Sequence, residues 1–121
     1  MLENDTFEFI PKSTENFVIT VSKAKNFSIK INGNPTTGYG WYLENALTID
    51  KNLLKPLNLN DVNGTDDYVA DVKPAGWIGG GGYYFFKFAS VNEGQVALTF
   101  SNKQIWDPST IKTYELNIVI N

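Results

Sequence analysis

The chain has 121 residues and a mass of 13.5 kDa, which is the size of one domain, residues 1–121, with a single hydrophobic core. It contains no Cys and no His, so Cys/His zinc sites, thiol nucleophiles and Ser-His-Asp triads are excluded by composition. The formal net charge is -3, and the ten basic residues are all Lys without a clustered stripe, so we expect no nucleic-acid partner.

The N-terminal segment, residues 1–10, carries three acidic residues and no long apolar run. This composition predicts neither a signal peptide nor a membrane anchor. The absence of Cys agrees with a reducing compartment. We therefore expect a monomeric cytoplasmic protein without a membrane partner, and leave a vesicular or secreted location open.

Four stretches alternate apolar and polar residues with a period of two and are rich in β-branched or aromatic side chains, as half-buried strands are. Their apolar positions are Phe17/Ile19/Val21, Phe27/Ile29/Ile31, Val96/Leu98/Phe100 and Tyr114/Leu116/Ile118/Ile120. The turn signal Asn92-Glu93-Gly94 predicts an antiparallel hairpin between the aromatic run 83–89 and the run 95–101. Residues 47–57 are ambiguous between strand and helical turn, and residues 58–67 are predicted to be a polar loop. Short strands separated by turn signals predict an all-β fold, an antiparallel β-sandwich of seven or eight strands.

The segment from Asn34 to Trp41 contains no charged residue, although 19% of the chain is charged. Pro35 fixes its own φ, and Gly38 and Gly40 permit backbone angles closed to other residues. These Pro and Gly residues predict a loop of defined shape that is neither helix nor regular strand. We expect Trp41, which begins the next strand, to be buried in the core.

Two later segments share this composition. Residues 74–82 are uncharged and contain Trp77 and four consecutive glycines, and residues 102–109 centre on Ile105-Trp106, where we expect Trp106 to be exposed. Loops rich in Trp, Tyr, Gly and Thr and poor in charge are typical of recognition surfaces.

These residues resemble the chagasin-like (amoebiasin-like) inhibitors of papain-type cysteine proteases. The stretch Asn34-Pro35-Thr36-Thr37-Gly38-Tyr39 matches the first inhibitory loop of that family, the glycines 79–82 match its Gly-rich second loop, and Trp106 matches the Trp of its third. The order, the spacing and the strand pattern agree over the whole chain. The third loop departs from the family, because Gln104 and Ile105 stand where Arg and Pro usually precede the Trp.

The resemblance implies an immunoglobulin-like sandwich with three inhibitory loops at one end. It implies that the chain is not an enzyme but a reversible, tight-binding inhibitor that occludes the active-site cleft of papain-like, cathepsin-type cysteine proteases. Thr36 and Thr37 would lie nearest the catalytic residues of the protease. No cofactor, metal or catalytic residue is implied. The implied protease-binding residues are Asn34, Pro35, Thr36, Thr37, Gly38, Tyr39, Gly79, Gly80, Gly81, Gly82 and Trp106.

Two other functions are alternatives to inhibition. An acidic β-sandwich could be a carbohydrate-binding module that stacks sugar rings on exposed aromatics, here Trp41, Trp77, Tyr83, Tyr84 or Trp106. A two-carboxylate glycosidase has little support, because no spacing among the thirteen Asp and Glu nominates a catalytic pair. The cluster Asp66, Asp67 and Asp71 matches no calcium loop, and we interpret it as a solvated acidic face.

Overall fold

The structure, a computed structural model, describes residues 5–11, 17–71 and 81–121. These residues form a two-layer sandwich of nine strands and one single-turn 3-10 helix. The strands are β1 (Asp5–Phe9), β2 (Phe17–Val21), β3 (Asn26–Gly33), β4 (Gly40–Leu43), β5 (Leu54–Pro56), β6 (Tyr68–Ala70), β7 (Gly82–Ser90), β8 (Gly94–Gln104) and β9 (Asp107–Ile120), and the 3-10 helix is Pro35–Thr37.

The strands divide between two sheets. The first has the order β1-β3-β7-β5, with β6 also paired to β7, and the second has the order β2-β9-β8-β4. The pairs β1–β3 and β2–β9 are parallel, and the remaining pairs are antiparallel. The predicted sandwich is confirmed, but its sheets are mixed rather than wholly antiparallel. It has more strands than expected, and β5 and β6, with three residues each, are too short to show an alternating pattern.

The predicted hairpin at Asn92-Glu93-Gly94 is wrong. The chain does reverse there, but β7 lies in the first sheet and β8 in the second, so the two strands face each other across the core. Strand β8 pairs with β4 and β9 instead. A turn signal reports a change of direction and carries no information on whether the two strands join one ladder.

Aromatic side chains join the two sheets at the centre of the core. The ring centroid of Phe100, on β8, lies 5.0 Å from that of Phe86 on β7 and 5.9 Å from that of Phe9 on β1. All three side chains are buried, and alternate residues of β7 point inward along its whole length. Because the chain has no Cys and can form no disulfide, apolar packing holds the two sheets together.

No helix within residues 5–11, 17–71 and 81–121 has the length and apolar character needed to span a membrane.

Strand pairing brings three chain connections to one end of the sandwich. Gly33, at the end of β3, pairs with Gly82, at the start of β7, and Gly40, at the start of β4, pairs with Lys103, near the end of β8. The β3–β4, β6–β7 and β8–β9 connections therefore share this end, which we call the loop end. The turns at residues 22–25 and 91–94 lie at the opposite end.

Candidate functional site

The first connection at the loop end, residues 34–39, is a capped helical turn. Asn34 is its N-cap, and its side-chain oxygen accepts a hydrogen bond of 3.1 Å from the backbone N–H of Thr36. Pro35 occupies the first helical position, where its missing N–H costs no bond. Gly38 ends the turn with φ +82°, and its N–H donates to the Pro35 carbonyl at 3.0 Å. The expectation that this segment contains no helix is therefore wrong for one turn.

The cap orients the threonines of the first loop. Thr36 and Thr37 are exposed at its apex, and the Thr37 hydroxyl donates to the Asn34 carbonyl at 2.8 Å. Tyr39 is half-buried, and the chain then enters the core. Trp41 is only 7% exposed, which confirms its predicted burial, and its indole N–H donates to the Asn32 carbonyl at 2.9 Å.

The third connection is shorter than predicted. Gln104 pairs with Asp107 across the β8–β9 hairpin, so only Ile105 and Trp106 form the turn. Trp106 is 68% exposed, which confirms the prediction that it lies at the surface. One edge of its indole covers Gly38: a Cβ built on Gly38 would collide with Cη2 and lie 3.0 Å from Cζ2 of Trp106.

Gln104 connects the same two segments through a hydrogen bond that the residue pattern did not reveal. Its side-chain amide donates to the Thr37 carbonyl at 3.1 Å, across 67 residues of sequence. The sequence identified Gln104 only as a departure from the family pattern. No local signal links a half-buried Gln to a carbonyl so distant in the chain.

The glycine-rich second segment is described only in part, because Gly79 and Gly80 lie outside the described residues. Gly82 is buried at the start of β7, where a Cβ would collide with the Val69 carbonyl. Its carbonyl accepts from the Asn32 side chain at 3.1 Å, and the Gly81 carbonyl accepts from the Asp71 N–H at 3.1 Å. Gly82 therefore supports this segment from within the sheet.

A shallow groove of 540 Å³ lies between the first loop and Gly81. Its lining is largely uncharged, with Lys112 as the one ionisable side chain apart from Tyr39. Within the part of the chain that the structure describes, no cluster of three or more acidic residues could hold a metal ion. The groove can accept polar and aromatic groups, but its lining supplies no carboxylate pair for acid–base chemistry. It is formed by Asn32, Gly33, Asn34, Thr37, Tyr39, Trp41, Gly81, Asn102 and Lys112.

The charges beside the third turn are engaged within the chain. Lys103 forms an ion pair of 2.5 Å with Glu44, and Ser101 also donates to that carboxylate. Partial burial raises the pKa of Glu44, but the hydrogen bonds from Lys103 and Ser101 and the attraction of the Lys103 charge outweigh it, so the pKa lies below its ordinary value. Asp107 accepts from the hydroxyl of Ser109 at 2.7 Å. The loop end thus presents hydroxyl, amide and aromatic groups more than free charge.

The structure weakens the carbohydrate-binding alternative. Trp41 and Tyr84 are buried, and Tyr83 is half-buried with the Lys30 ammonium 4.0 Å from its ring centroid. Trp77 lies outside the described residues. Trp106 is thus the exposed aromatic among the four candidates that the structure describes, which gives no row of rings for a sugar chain.

Comparison with known proteins gives one family. Residues 20–118 match the model of the chagasin family peptidase inhibitor I42. The chain is 27% identical over 110 residues to Amoebiasin-1 of Entamoeba histolytica, covering 90% of this chain and 95% of that protein. The crystal structure of EhICP2, a cysteine protease inhibitor from Entamoeba histolytica, has a similar fold (TM-score 0.68, 14% identity, 97% and 95% of the two chains). PbICP-C, solved in complex with falcipain-2, is also similar (TM-score 0.61, 20% identity, 98% and 100%).

Proposed function

The chain belongs to the chagasin family of peptidase inhibitors and is an inhibitor of cysteine proteases rather than an enzyme, and we propose that it binds them through the loop end. The loop end of the sandwich covers the active-site cleft of a papain-like protease. The first loop, Asn34 to Tyr39, enters the cleft. Gly79 to Gly81 and Trp106 contact the surfaces on either side, and the buried Gly82 supports the glycine segment from within β7.

One observation carries this proposal: the first loop is ordered by its own hydrogen bonds, yet its threonines face solvent. Asn34 caps the turn, Gly38 closes it, and Thr36 and Thr37 are exposed between them. A loop that is already shaped loses little conformational entropy on binding, so more of its contact energy appears as affinity. The solved complex of PbICP-C with falcipain-2 supports the choice of partner.

The mechanism is occlusion. Hydroxyl and amide groups of the first loop can satisfy the polar catalytic centre of the protease without presenting a peptide carbonyl in the geometry of attack. The chain has no Cys and no evident electrophile, so no covalent bond to the protease is expected. Inhibition is therefore reversible, and full protease activity returns after dilution.

The test replaces an exposed threonine at each end of the molecule by Arg. Thr36→Arg places a long charged side chain at the apex of the first loop, whereas Thr20→Arg makes the same change on β2, where Thr20 is exposed beside Val119. We expect Thr36→Arg to raise the inhibition constant against papain at least about tenfold, because the larger side chain cannot enter the cleft with the loop. Thr20→Arg should leave the constant unchanged, and both variants should melt near the wild-type temperature.

The proposal is overturned if micromolar wild-type chain leaves papain and a cathepsin-type protease fully active on a small peptide substrate. It is also overturned if Thr36→Arg and Thr20→Arg inhibit equally well. Binding to a glycan array in the absence of inhibition would favour the carbohydrate-binding alternative.

A further inference from the structure

The carbonyl of Thr37 is a group that the first loop cannot satisfy by itself. Within the turn, Thr37 N–H donates to Asn34 and Gly38 N–H donates to Pro35, and the carbonyls at the end of a helical turn have no partner inside it. The Thr37 carbonyl instead accepts from the side-chain amide of Gln104 at 3.1 Å. A residue of β8, the strand that pairs with β4, thus completes the hydrogen bonding of the loop.

The backbone of Gln104 is held in place by the β8–β9 hairpin. It is the last residue of β8, and its backbone N–H donates to the Thr110 hydroxyl at 2.9 Å. The register of the β8–β9 ladder shifts between Asn102 and Gln104, an irregularity of the kind that redirects side chains at the end of a hairpin. The Thr110 hydroxyl donates in turn to the Asp107 carbonyl at 2.7 Å.

A second contact from the same hairpin reaches the next residue of the loop. The edge of the Trp106 indole lies against Gly38, where a Cβ would come within 3.0 Å of Cζ2. The β8–β9 hairpin therefore contacts two consecutive residues of the first loop. Gln104 forms a hydrogen bond to Thr37, and the Trp106 ring packs against Gly38.

We propose that Gln104 is a positioning residue that, with Trp106, holds the first loop in its inhibitory shape before the protease arrives. This inference rests on the proposed function, and it adds a role for the third turn that requires no contact between Gln104 and the protease. When only a fraction of the molecules has the binding-competent loop, the apparent dissociation constant rises by the inverse of that fraction. Loss of the Gln104 bond should therefore slow association and leave dissociation little changed.

The experiment compares the same substitution at the two ends of β8. Gln104→Met keeps the length of the side chain and removes the donor, and Gln95→Met changes an exposed residue near the start of the strand. Two quantities are measured: the inhibition kinetics against papain, and the hydrogen-exchange rate of the Gly38 amide by NMR in the free inhibitor. Gln104→Asn is a second test variant, because it keeps the amide on a side chain that is one methylene shorter.

For Gln104→Met and Gln104→Asn we expect a lower association rate, by at most about fivefold, which is the factor by which one net hydrogen bond shifts the loop equilibrium. The Gly38 amide should exchange about fivefold faster in both variants and at the wild-type rate in Gln95→Met. Weaker inhibition with unchanged Gly38 exchange would overturn the inference, because Gln104 would then act only by touching the protease. Unchanged exchange and inhibition would overturn it as well. If the wild-type chain inhibits no protease, the proposed function fails, and the exchange rates alone decide whether Gln104 positions the loop.

Discussion

At the scale of single residues, the first loop is shaped by three positions with separate physical roles. The Asn34 side chain accepts a hydrogen bond from the Thr36 N–H at the start of the turn. Pro35 has a fixed φ that suits the first helical position, and Gly38 ends the turn with φ +82°. Asn-Pro before a turn and Gly after it are readable signals, so the sequence could have predicted the helical turn as well as the loop. Gln104 could not be found in this way, because its partner is the Thr37 carbonyl 67 residues away.

Gly38 has no room for a larger side chain. In Gly38→Ala the side chain meets two obstacles, a left-handed backbone that costs an L residue about 1–2 kcal/mol and the Trp106 ring above it. We expect the inhibition constant to rise at least about tenfold, since the loop or the indole must move. Inhibition assays together with thermal unfolding measure the change.

The double variant Gly38→Ala/Trp106→Ala separates these two obstacles. Removal of the indole relieves the collision but not the backbone strain, so Gly38→Ala should destabilise the chain less in the Trp106→Ala background. Wild-type inhibition by Gly38→Ala would contradict the geometry described for the loop end.

At the scale of elements, the polar stretch between β5 and β6 is a loop as predicted, but it is a strongly bonded one. Asn58 donates to the Thr65 hydroxyl at 2.9 Å and to the Phe85 carbonyl at 2.8 Å, and its side-chain oxygen accepts from the Lys87 N–H at 2.9 Å. The Asn58 side chain thus forms hydrogen bonds with the β7 backbone that a neighbouring strand would otherwise form. Composition predicted the loop because Asn and Asp favour turns, but which Asn binds a neighbouring strand depends on tertiary packing.

We expect the Asn58 side chain to contribute to the stability of the fold. Asn58→Ala leaves the Lys87 N–H and the Phe85 carbonyl without this partner, and we expect a loss of about 2 kcal/mol in the free energy of unfolding. Urea denaturation measures it. Inhibition by the folded variant should stay at the wild-type level, because Asn58 lies outside the loop-end segments. A loss below about 0.5 kcal/mol would show that water replaces these bonds without cost.

At the scale of the whole molecule, the sandwich was predictable because the alternation of apolar and polar residues along each strand indicates which residues face the core. Residues such as Ile29, Leu98 and Ile118 are fully buried, as their spacing predicts. Which strands pair with one another was not predictable in the same way. The parallel edge strands β1 and β2, and the passage of the chain from β7 to β8 across the core, depend on contacts between distant segments.

The loop end is likewise a property of the whole fold. Its three segments are separated by tens of residues, and each carries only a weak signal on its own. Strand register, through Gly33 with Gly82 and Gly40 with Lys103, places them side by side. In the proposed complex this end, and not the sheet faces or the opposite turns, binds the protease.

The most direct test is a hydrogen-exchange footprint of the chain, free and bound to a papain-type protease whose catalytic cysteine is replaced by Ala. We expect slower amide exchange in the bound state at residues 34–39, 79–82 and 104–107, with no change in the turns at 22–25 and 91–94 at the opposite end. Slower exchange in those opposite turns or on the sheet faces, with the loop end unchanged, would show that the protease does not bind the loop end.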